Sequence, residues 1–292
     1  MPQSPQFTVA AAQWFSAAAR DLPWRHADTT PWAVLMSEVM LQQTPVARVL
    51  APYAAWLERW PTPAALAADV PGDAVRMWAR LGYPRRALRL HECAVVIVRD
   101  HDGAVPTEID ALLALPGIGA YTARAVAAFA FGQRAPVVDT NVRRVVARAF
   151  LGQGEAGPPS TTRDLATVEM LLPEDAAAAA HLSGALMELG ALVCTARTPD
   201  CAACPVAHLC AWRLAGHPAY GGPATRTQKF EGTDRQVRGK LMAVVRDAQR
   251  SVARAQLDVV WADAAQRDRA LHSLIVDGLL EVTKSGRFRL PT

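Results

Sequence analysis

At 292 residues, 51% of them hydrophobic, the chain has material for one large or two modest domains around a sizeable core. No charged-then-apolar signal pattern and no membrane-length apolar run occurs, which excludes the secreted and membrane-embedded classes and predicts a soluble cytoplasmic protein. The formal charge of +4 is unevenly placed: residues 1–224 are near neutral at −1, whereas residues 225–292 carry +5 and all three lysines, Lys229, Lys240 and Lys284, which fits a polyanionic partner or a solvated face.

In chain order, Pro5 to Arg20 reads as an amphipathic helix carrying Phe7, Val9, Trp14 and Phe15. A polar loop around Leu22 to Arg25, LPWR, follows. Thr30 and Pro31 form an N-cap and first-turn proline, opening a helix over Pro31 to Thr44. Glu38 stands out in it, as an acid between Met36 and Met40 either points to water or is half-buried with a raised pKa. Gln42, Gln43 and Thr44 make a polar end beside it. Helices are then predicted over Pro45–Trp60, Pro63–Ala68, Asp73–Ala79, Pro84–Asp100 and Glu108–Ala114, with short Pro/Gly-marked loops. No alternating strand pattern occurs before residue 230, so the core is predicted to be all-α. Within it, Leu81 to Ala87, LGYPRRA, sets Tyr83 beside Arg85 and Arg86 at a helix start, which suits phosphate and base contacts or a plain capped turn.

Leu115 to Arg144, LPGIGAYTARAVAAFAFGQRAPVVDTNVRR, organises the middle of the chain. Pro116 and Gly117 end one helix, and Gly119 frees the backbone for a second tight approach. Tyr121 to Phe131 is nearly all small or apolar and predicts a buried helix. The hairpin before it presents backbone N–H groups at a helix N-terminus, a site for a phosphate. Asp139 is the lone acid at the stretch's end, and helices are predicted from there to about Phe150, over Arg163–Leu172 and over Ala176–Val193.

Cys194, Cys201, Cys204 and Cys210 fall within 17 residues, with gaps of six, two and five. Four thiols so close, without a secretion signal, argue for a metal centre over disulfides. A thiolate S₄ set holds Zn²⁺ or an iron–sulfur cluster, and a single C-x-x-C leaves both open. Cys93 sits apart and reads as a core residue. Beyond a Pro/Gly-rich linker, helices over Asp234–Gln249 and Asp263–Asp277 flank a short Ala253–Trp261 segment, and a strand pair turns at Thr283–Gly286. This is a winged-helix order, which fits either DNA binding, with Lys284, Arg287 and Arg289 in the wing touching phosphates, or a packing or partner module without DNA contact.

LPWR, SEVMLQQT, LGY followed by RA, LPGIGAYTA, VVDTNVRRV and the four-cysteine loop together resemble the adenine DNA glycosylases of MutY type, in the helix-hairpin-helix superfamily that includes endonuclease III. The matching stretches cover roughly residues 10–215. The resemblance implies a mainly α, two-lobed helix-hairpin-helix glycosylase fold over 1–217, with a six-helix lobe at about 31–136 and a cluster-bearing lobe from 1–30 and 137–217. A linker over 218–233 and a winged-helix-like basic module over 234–292 complete the expected organisation. It also implies a [4Fe-4S] cluster on Cys194, Cys201, Cys204 and Cys210.

By the same resemblance, Glu38 is the acid that protonates the leaving adenine and then activates water, and Asp139 the carboxylate that stabilises the sugar cation. Tyr121 orients them and Asn141 supports them, while Gln43 and Tyr83 match residues inserted into the base stack. Gly117 and Gly119 match the phosphate-holding hairpin, and Arg25, Arg85 and Arg86 are further expected DNA contacts. Strand-nicking relatives carry a lysine where Tyr121 stands, so a monofunctional enzyme is expected. The expected partner is double-stranded DNA with A:8-oxoguanine or A:G mispairs, bound by a monomer. The tail departs from the family, being about 60 residues with no Phe-Ser-His loop, which puts the 8-oxoguanine preference in question. Two rivals stay open: a thymine or uracil mismatch glycosylase of the same fold, which Glu38 counts against for the thymine relatives, and a non-catalytic iron–sulfur DNA-binding protein.

Overall fold

Helices fill the intervals between proline and glycine signals, and the caps that start them are visible in atomic detail. The computed structural model describes residues 4–223 and 230–292. The helices are α1 Ser4–Ala18, α2 Pro31–Leu41, α3 Val46–Arg59, α4 Pro63–Ala68, α5 Pro71–Met77, α6 Arg85–Asp100, α7 Ile109–Ala114, α8 Ala120–Phe131, α9 Thr140–Ala149, α10 Thr161–Glu169, α11 Ala176–Leu192 and α12 Ala211–Leu214. The tail adds α13 Asp234–Asp247, α14 Arg254–Asp258 and α15 Ala264–Val276, then β1 Glu281–Val282 paired antiparallel with β2 Phe288–Arg289. Side chains of Thr62, Asp139, Asp175 and Asp263 accept hydrogen bonds from backbone N–H groups three residues on, each satisfying a donor the helix leaves orphaned. No helix among the described residues is long and apolar enough to cross a membrane.

The chain divides into two compact units. The first comprises residues 1–34, 107–113 and 119–225; the second comprises 35–106, 114–118 and 226–292. Residues 107–113 and helix α8 count with the cysteine-bearing unit, and the described part of the tail counts with the second unit. The linker expected over 218–233 includes residues 224–229, which lie outside the described ones.

The first unit is built on α11, against which α1 and α9 pack. Phe7 and Ala11 of α1, Val142, Val145 and Val146 of α9, and Leu182, Leu186 and Leu189 of α11 share one apolar core. Glu188 is buried at the end of that core at 1% exposure, and four donors meet it: Arg20 N at 2.9 Å, Arg20 Nε at 2.7 Å, an Arg20 terminal nitrogen at 2.8 Å and an Arg25 terminal nitrogen at 2.9 Å. Burial alone would raise its carboxyl, but hydrogen bonds from Arg20 and Arg25 outweigh burial and hold it at about 2. Arg25, expected at DNA, is thereby committed to an internal acid, because a buried carboxylate needs its cation more than a solvated phosphate does.

In the second unit, α4 and α5 pack on α6. Trp56 meets Trp60 edge-on at 4.7 Å and Trp78 at 5.4 Å, and all three rings are fully buried. The tail closes over α5: Gly72 N donates to the Pro291 carbonyl at 2.9 Å, Arg76 donates to the carbonyls of Arg246 and Ala248, and Arg246 donates to the Ala79 carbonyl at 2.6 Å. A Cβ on Gly72 would lie 2.5 Å from the Pro291 oxygen, so only glycine allows the approach. Val252 pairs with Phe288 between α13 and α14, completing the helix, bridge, helix, helix, hairpin order of a winged helix. Two of the three wing cations are spent internally: Arg287 Nε donates to Ser251 Oγ at 3.0 Å, and Arg289 pairs with Glu281 at 3.1 Å. Lys284 remains exposed at the turn.

A carboxyl held below its ordinary 4.5 adds stability that is complete above pH about 4.5 and is lost as pH falls towards about 2. Urea unfolding of the intact protein at pH 7 and pH 3, followed by tryptophan fluorescence, is expected to show this loss. Glu188→Ala is expected to cost about 3 kcal/mol or more at pH 7 and to flatten the acid limb; an unchanged acid limb overturns the role given to Glu188.

Candidate functional site

In the second unit, the candidate residues gather around the end of α2. Glu38 is 4% exposed, between Leu35 and Met36 on one side and Val39 and Met40 on the other, all within 4%. Of the two placements open to it in sequence, the buried one holds. The helix stops at Leu41, three residues earlier than predicted, because Gln43 takes φ 53°. Tyr83 takes φ 48° in a second loop and is 42% exposed. Both side chains expected to enter the base stack therefore sit on left-handed backbone, which costs of order 1 kcal/mol or more for a non-glycine residue.

What holds both loops is Arg86. Its NH1 donates to the carbonyls of Val39 at 2.8 Å, Met40 at 3.0 Å and Gln42 at 2.7 Å; its NH2 donates to Thr44 Oγ1 and the Gly82 carbonyl, each at 3.0 Å. Trp78 Nε1 donates to the same Gly82 carbonyl at 2.9 Å, and the guanidinium lies 5.0 Å from the Trp78 ring. Burial draws the Arg86 pKa down to about 10. Arg86, named in the sequence as a DNA contact, thus caps the C-terminal carbonyls of α2, its terminal donors taken up by backbone oxygens. Arg85 pairs with Asp277 at 3.2 Å yet stays 53% exposed, so it remains at the surface.

A cavity of about 270 Å³ opens beside these loops, lined by Gln42, Arg85, Arg86, Arg89, Pro116 and Gly117 among others. Gly117 has φ +78°, and a Cβ there would fall 2.7 Å from Arg89 Cβ, so the hairpin requires glycine at this position. Gly119, in the first unit, is extended at φ −97° and meets nothing within 4 Å. The tight approach expected at Gly119 is not made within the chain; its bare backbone faces open space.

In the first unit, Tyr121 lies half-buried in the first turn of α8. Asp139 N-caps α9, with Oδ1 accepting from Val142 N at 2.7 Å and Oδ2 from Asn141 Nδ2 at 2.7 Å. Burial raises its pKa, and the bonds from Val142 and Asn141 oppose that rise without cancelling it. Asn141 Oδ1 in turn accepts from Arg144 NH2 at 2.7 Å, and Arg144 also donates to the carbonyls of Gly190 at 2.7 Å and Cys194 at 2.7 Å. One line of hydrogen bonds therefore runs from Asp139 to the first cysteine.

The cysteine loop is fixed by a second arginine one turn further along α9. Arg148 is buried at 4% exposure and donates to the carbonyls of Gly154 at 2.9 Å, Thr195 at 2.7 Å and Ala196 at 3.0 Å, with NH1 3.4 Å from Cys194 Sγ. Its guanidinium lies 4.8 Å over Trp212. All four thiols are half-buried. Burial first, and the three other cysteines after it, push the Cys204 thiol up to about 11, so the four sulfurs are gathered within electrostatic reach. Among the described residues no three His, Cys, Asp or Glu side chains converge tightly enough for a single ion. Four soft donors, half-buried and with the Arg148 guanidinium 3.4 Å from one of them, suit an iron–sulfur cluster carrying thiolate charge. Cys93 lies apart, fully buried in α6, with its thiol pushed up to about 12 by burial.

Three residues of this arrangement were missed in the sequence. Arg144 and Arg148 stand four apart and so share a face of α9, a signal that was available. Gly190 carried no signal: a Cβ there would lie 2.6 Å from Asn141 Cβ, a contact across 49 residues of sequence.

Comparison with known proteins agrees with this geometry. Residues 36–169 match the HhH-GPD superfamily of base excision DNA repair proteins, and residues 194–210 match the iron-sulfur binding domain of endonuclease III. The adenine DNA glycosylase of Mycolicibacterium smegmatis is 60% identical over 283 residues, covering 97% of this chain and 95% of that one. The human adenine DNA glycosylase is 40% identical over 212 residues, 70% of this chain but 39% of its own length. A solved thermostable thymine-DNA glycosylase superposes with a TM-score of 0.66 at 27% identity, covering 73% of this chain and 98% of that one. The four cysteines are the ligand set of a [4Fe-4S] cluster.

Gly190→Ala is expected to push α9 and α11 apart at Asn141, costing about 1–3 kcal/mol as an overpacked contact does. Thermal unfolding with parallel iron analysis checks it; a variant as stable as wild type, with full iron content, contradicts the tight packing described.

Proposed function

Because this chain belongs to the adenine DNA glycosylases of the HhH-GPD superfamily of base excision DNA repair proteins, we propose that it excises adenine from A:8-oxoguanine and A:G mispairs with Glu38 and Asp139 in divided roles. The N-glycosidic bond breaks when the leaving base is protonated and the sugar's developing positive charge is stabilised. Glu38, buried in an apolar helix, gives its proton to a ring nitrogen of the extruded adenine; the bond's electron pair leaves with the base. Asp139, its carboxylate oriented by Val142 N and Asn141 Nδ2, faces the sugar cation. Glu38, now ionised, takes a proton from the water that adds to the sugar, and the enzyme is restored. Tyr121 orients the acids at the start of α8. The cluster, when bound, supplies a rigid and charged organiser of the loop it ties together; Arg144 and Arg148 hold that loop to α9.

The observation that most supports this reading is the buried Glu38 in a chain 60% identical to an adenine DNA glycosylase over nearly its whole length. The enzyme is read as a cytoplasmic monomer acting on duplex DNA. Tyr121 stands where strand-nicking relatives carry lysine, and no lysine precedes Lys229, so hydrolysis by water is favoured over a Schiff-base route.

Oligonucleotides with A:8-oxoguanine, A:G, T:G and U:G pairs, treated with alkali after incubation, test the substrate. Cleavage of the adenine strand alone is expected, and cleavage at T:G or U:G instead overturns the reading. Glu38→Gln is expected to bind the mispair while losing about 10²–10⁴-fold in single-turnover rate, and a rate within a few-fold of wild type removes Glu38 from its role. Borohydride added during turnover is expected to trap little covalent protein–DNA adduct, whereas efficient trapping identifies an amine nucleophile and ends the monofunctional assignment.

A further inference from the structure

The C-terminal module reaches the Tyr83 loop through one residue. Arg235, at the start of α13, places its guanidinium over the Tyr83 ring, 4.4 Å from the centroid, and 5.8 Å from the ring of Phe230. Both rings are exposed, at 42% and 54%. The neighbouring acid does not neutralise this cation: Asp234 receives two hydrogen bonds from Arg269, at 2.8 Å and 3.0 Å, and another from Gln266. Among the described residues no carboxylate pairs with Arg235. An arginine between two solvent-exposed aromatic rings, with no internal counter-charge, is a stacking surface for nucleobases with a cationic rim for their backbone. Below, the same tyrosine is rooted by Arg86, whose guanidinium lies 5.8 Å from the ring and binds the Gly82 carbonyl.

We propose that Arg235 and Tyr83 act as one composite wedge, in which the guanidinium of the C-terminal module occupies one face of the ring and steadies it for stacking against a base of the bound mispair. Arg235 is a positioning residue: it acts on DNA through Tyr83. This assigns the C-terminal module a share in mispair recognition, and does so with α13 rather than with the wing, whose Arg287 and Arg289 are engaged internally. The inference rests on the reading of the enzyme as a mispair glycosylase.

The test uses the full-length, cluster-loaded protein and a duplex carrying a non-hydrolysable adenosine analogue opposite 8-oxoguanine or guanine. Adenine excision by the wild type on the natural pairs checks the underlying reading on its own. Dissociation constants at two salt concentrations are then compared for wild type, Arg235→Ala, Arg235→Lys, Tyr83→Ala and the double alanine variant. Losing the stack is expected to weaken binding about fivefold or more in each single variant. The double variant should be no more than about twofold weaker than Tyr83→Ala, because both remove one wedge. Arg235→Lys keeps the charge but not the planar guanidinium, so it should bind nearly as poorly as Arg235→Ala. Additive losses in the double variant, no loss on removing Arg235, or full rescue by lysine with only a unit change in salt slope each overturn the proposal; the last identifies a phosphate contact instead. Should Arg235→Ala unfold the module, the Arg235→Lys comparison alone decides between stack and charge.

Discussion

One guanidinium fixes the working edge of the second unit. Arg86 lends its terminal donors to carbonyls of Val39, Met40, Gln42 and Gly82, and in doing so ends α2 after the turn that carries Glu38 and shapes the loop that carries Tyr83. A half-buried cation is costly unless its donors are met, and the depression of its pKa to about 10 records that cost. The carbonyls it meets are those a helix C-terminus leaves unsatisfied, so two liabilities cancel. The left-handed backbone at Gln43 and Tyr83 then follows as strain tolerated because the surroundings over-determine it. Lysine could not replace this residue, since a point donor cannot span oxygens on two loops.

The first unit resolves a comparable tension at Asp139. A helix N-cap and a buried carboxylate make opposite demands: the cap favours a charged, satisfied oxygen, and burial favours the neutral group. Two hydrogen bonds engage one oxygen each and leave the charge oriented, while burial keeps the group from being over-stabilised as an anion. The line through Asn141 and Arg144 to the cysteine loop means that the position of this acid depends on a segment more than fifty residues later in the chain. A cluster that does no redox work would still matter there, because the loop it ties is the far anchor of that line.

The helices, their order and the hairpin's Gly117 were readable because prolines, glycines and caps act locally. Boundaries slipped where a distant residue intervened, as at Leu41, where Arg86 stops the helix early. The cysteines were readable because their spacing is short and their chemistry narrow. Charge proved the least informative signal. Arg25, Arg86, Arg287 and Arg289 all look like DNA contacts in a linear string, yet each is drawn to an internal oxygen that the string does not place beside it. Gly190 lay beyond sequence reasoning altogether, since its only demand comes from Asn141 on another helix. The roles proposed for Glu38 and Asp139 come from family resemblance alone, and the bonds that hold Asp139 depend on Val142 and Asn141 folding beside it.

The way the two units interleave along the chain also constrains how the protein is made. α1 leaves the ribosome long before α11, the helix it packs on, more than 150 residues further along the chain. Gly72 likewise waits for Pro291, more than two hundred residues later. Closing such loops costs only logarithmically more with length, so the finished fold tolerates the arrangement. A nascent chain does not: the face of α5 that receives the tail stands open to water until the tail is made, and the face of α1 until α11 is made. The growing polypeptide is therefore a client for chaperones that shield apolar surface, and a ribosome stalled before the tail would leave the second unit without a complete core.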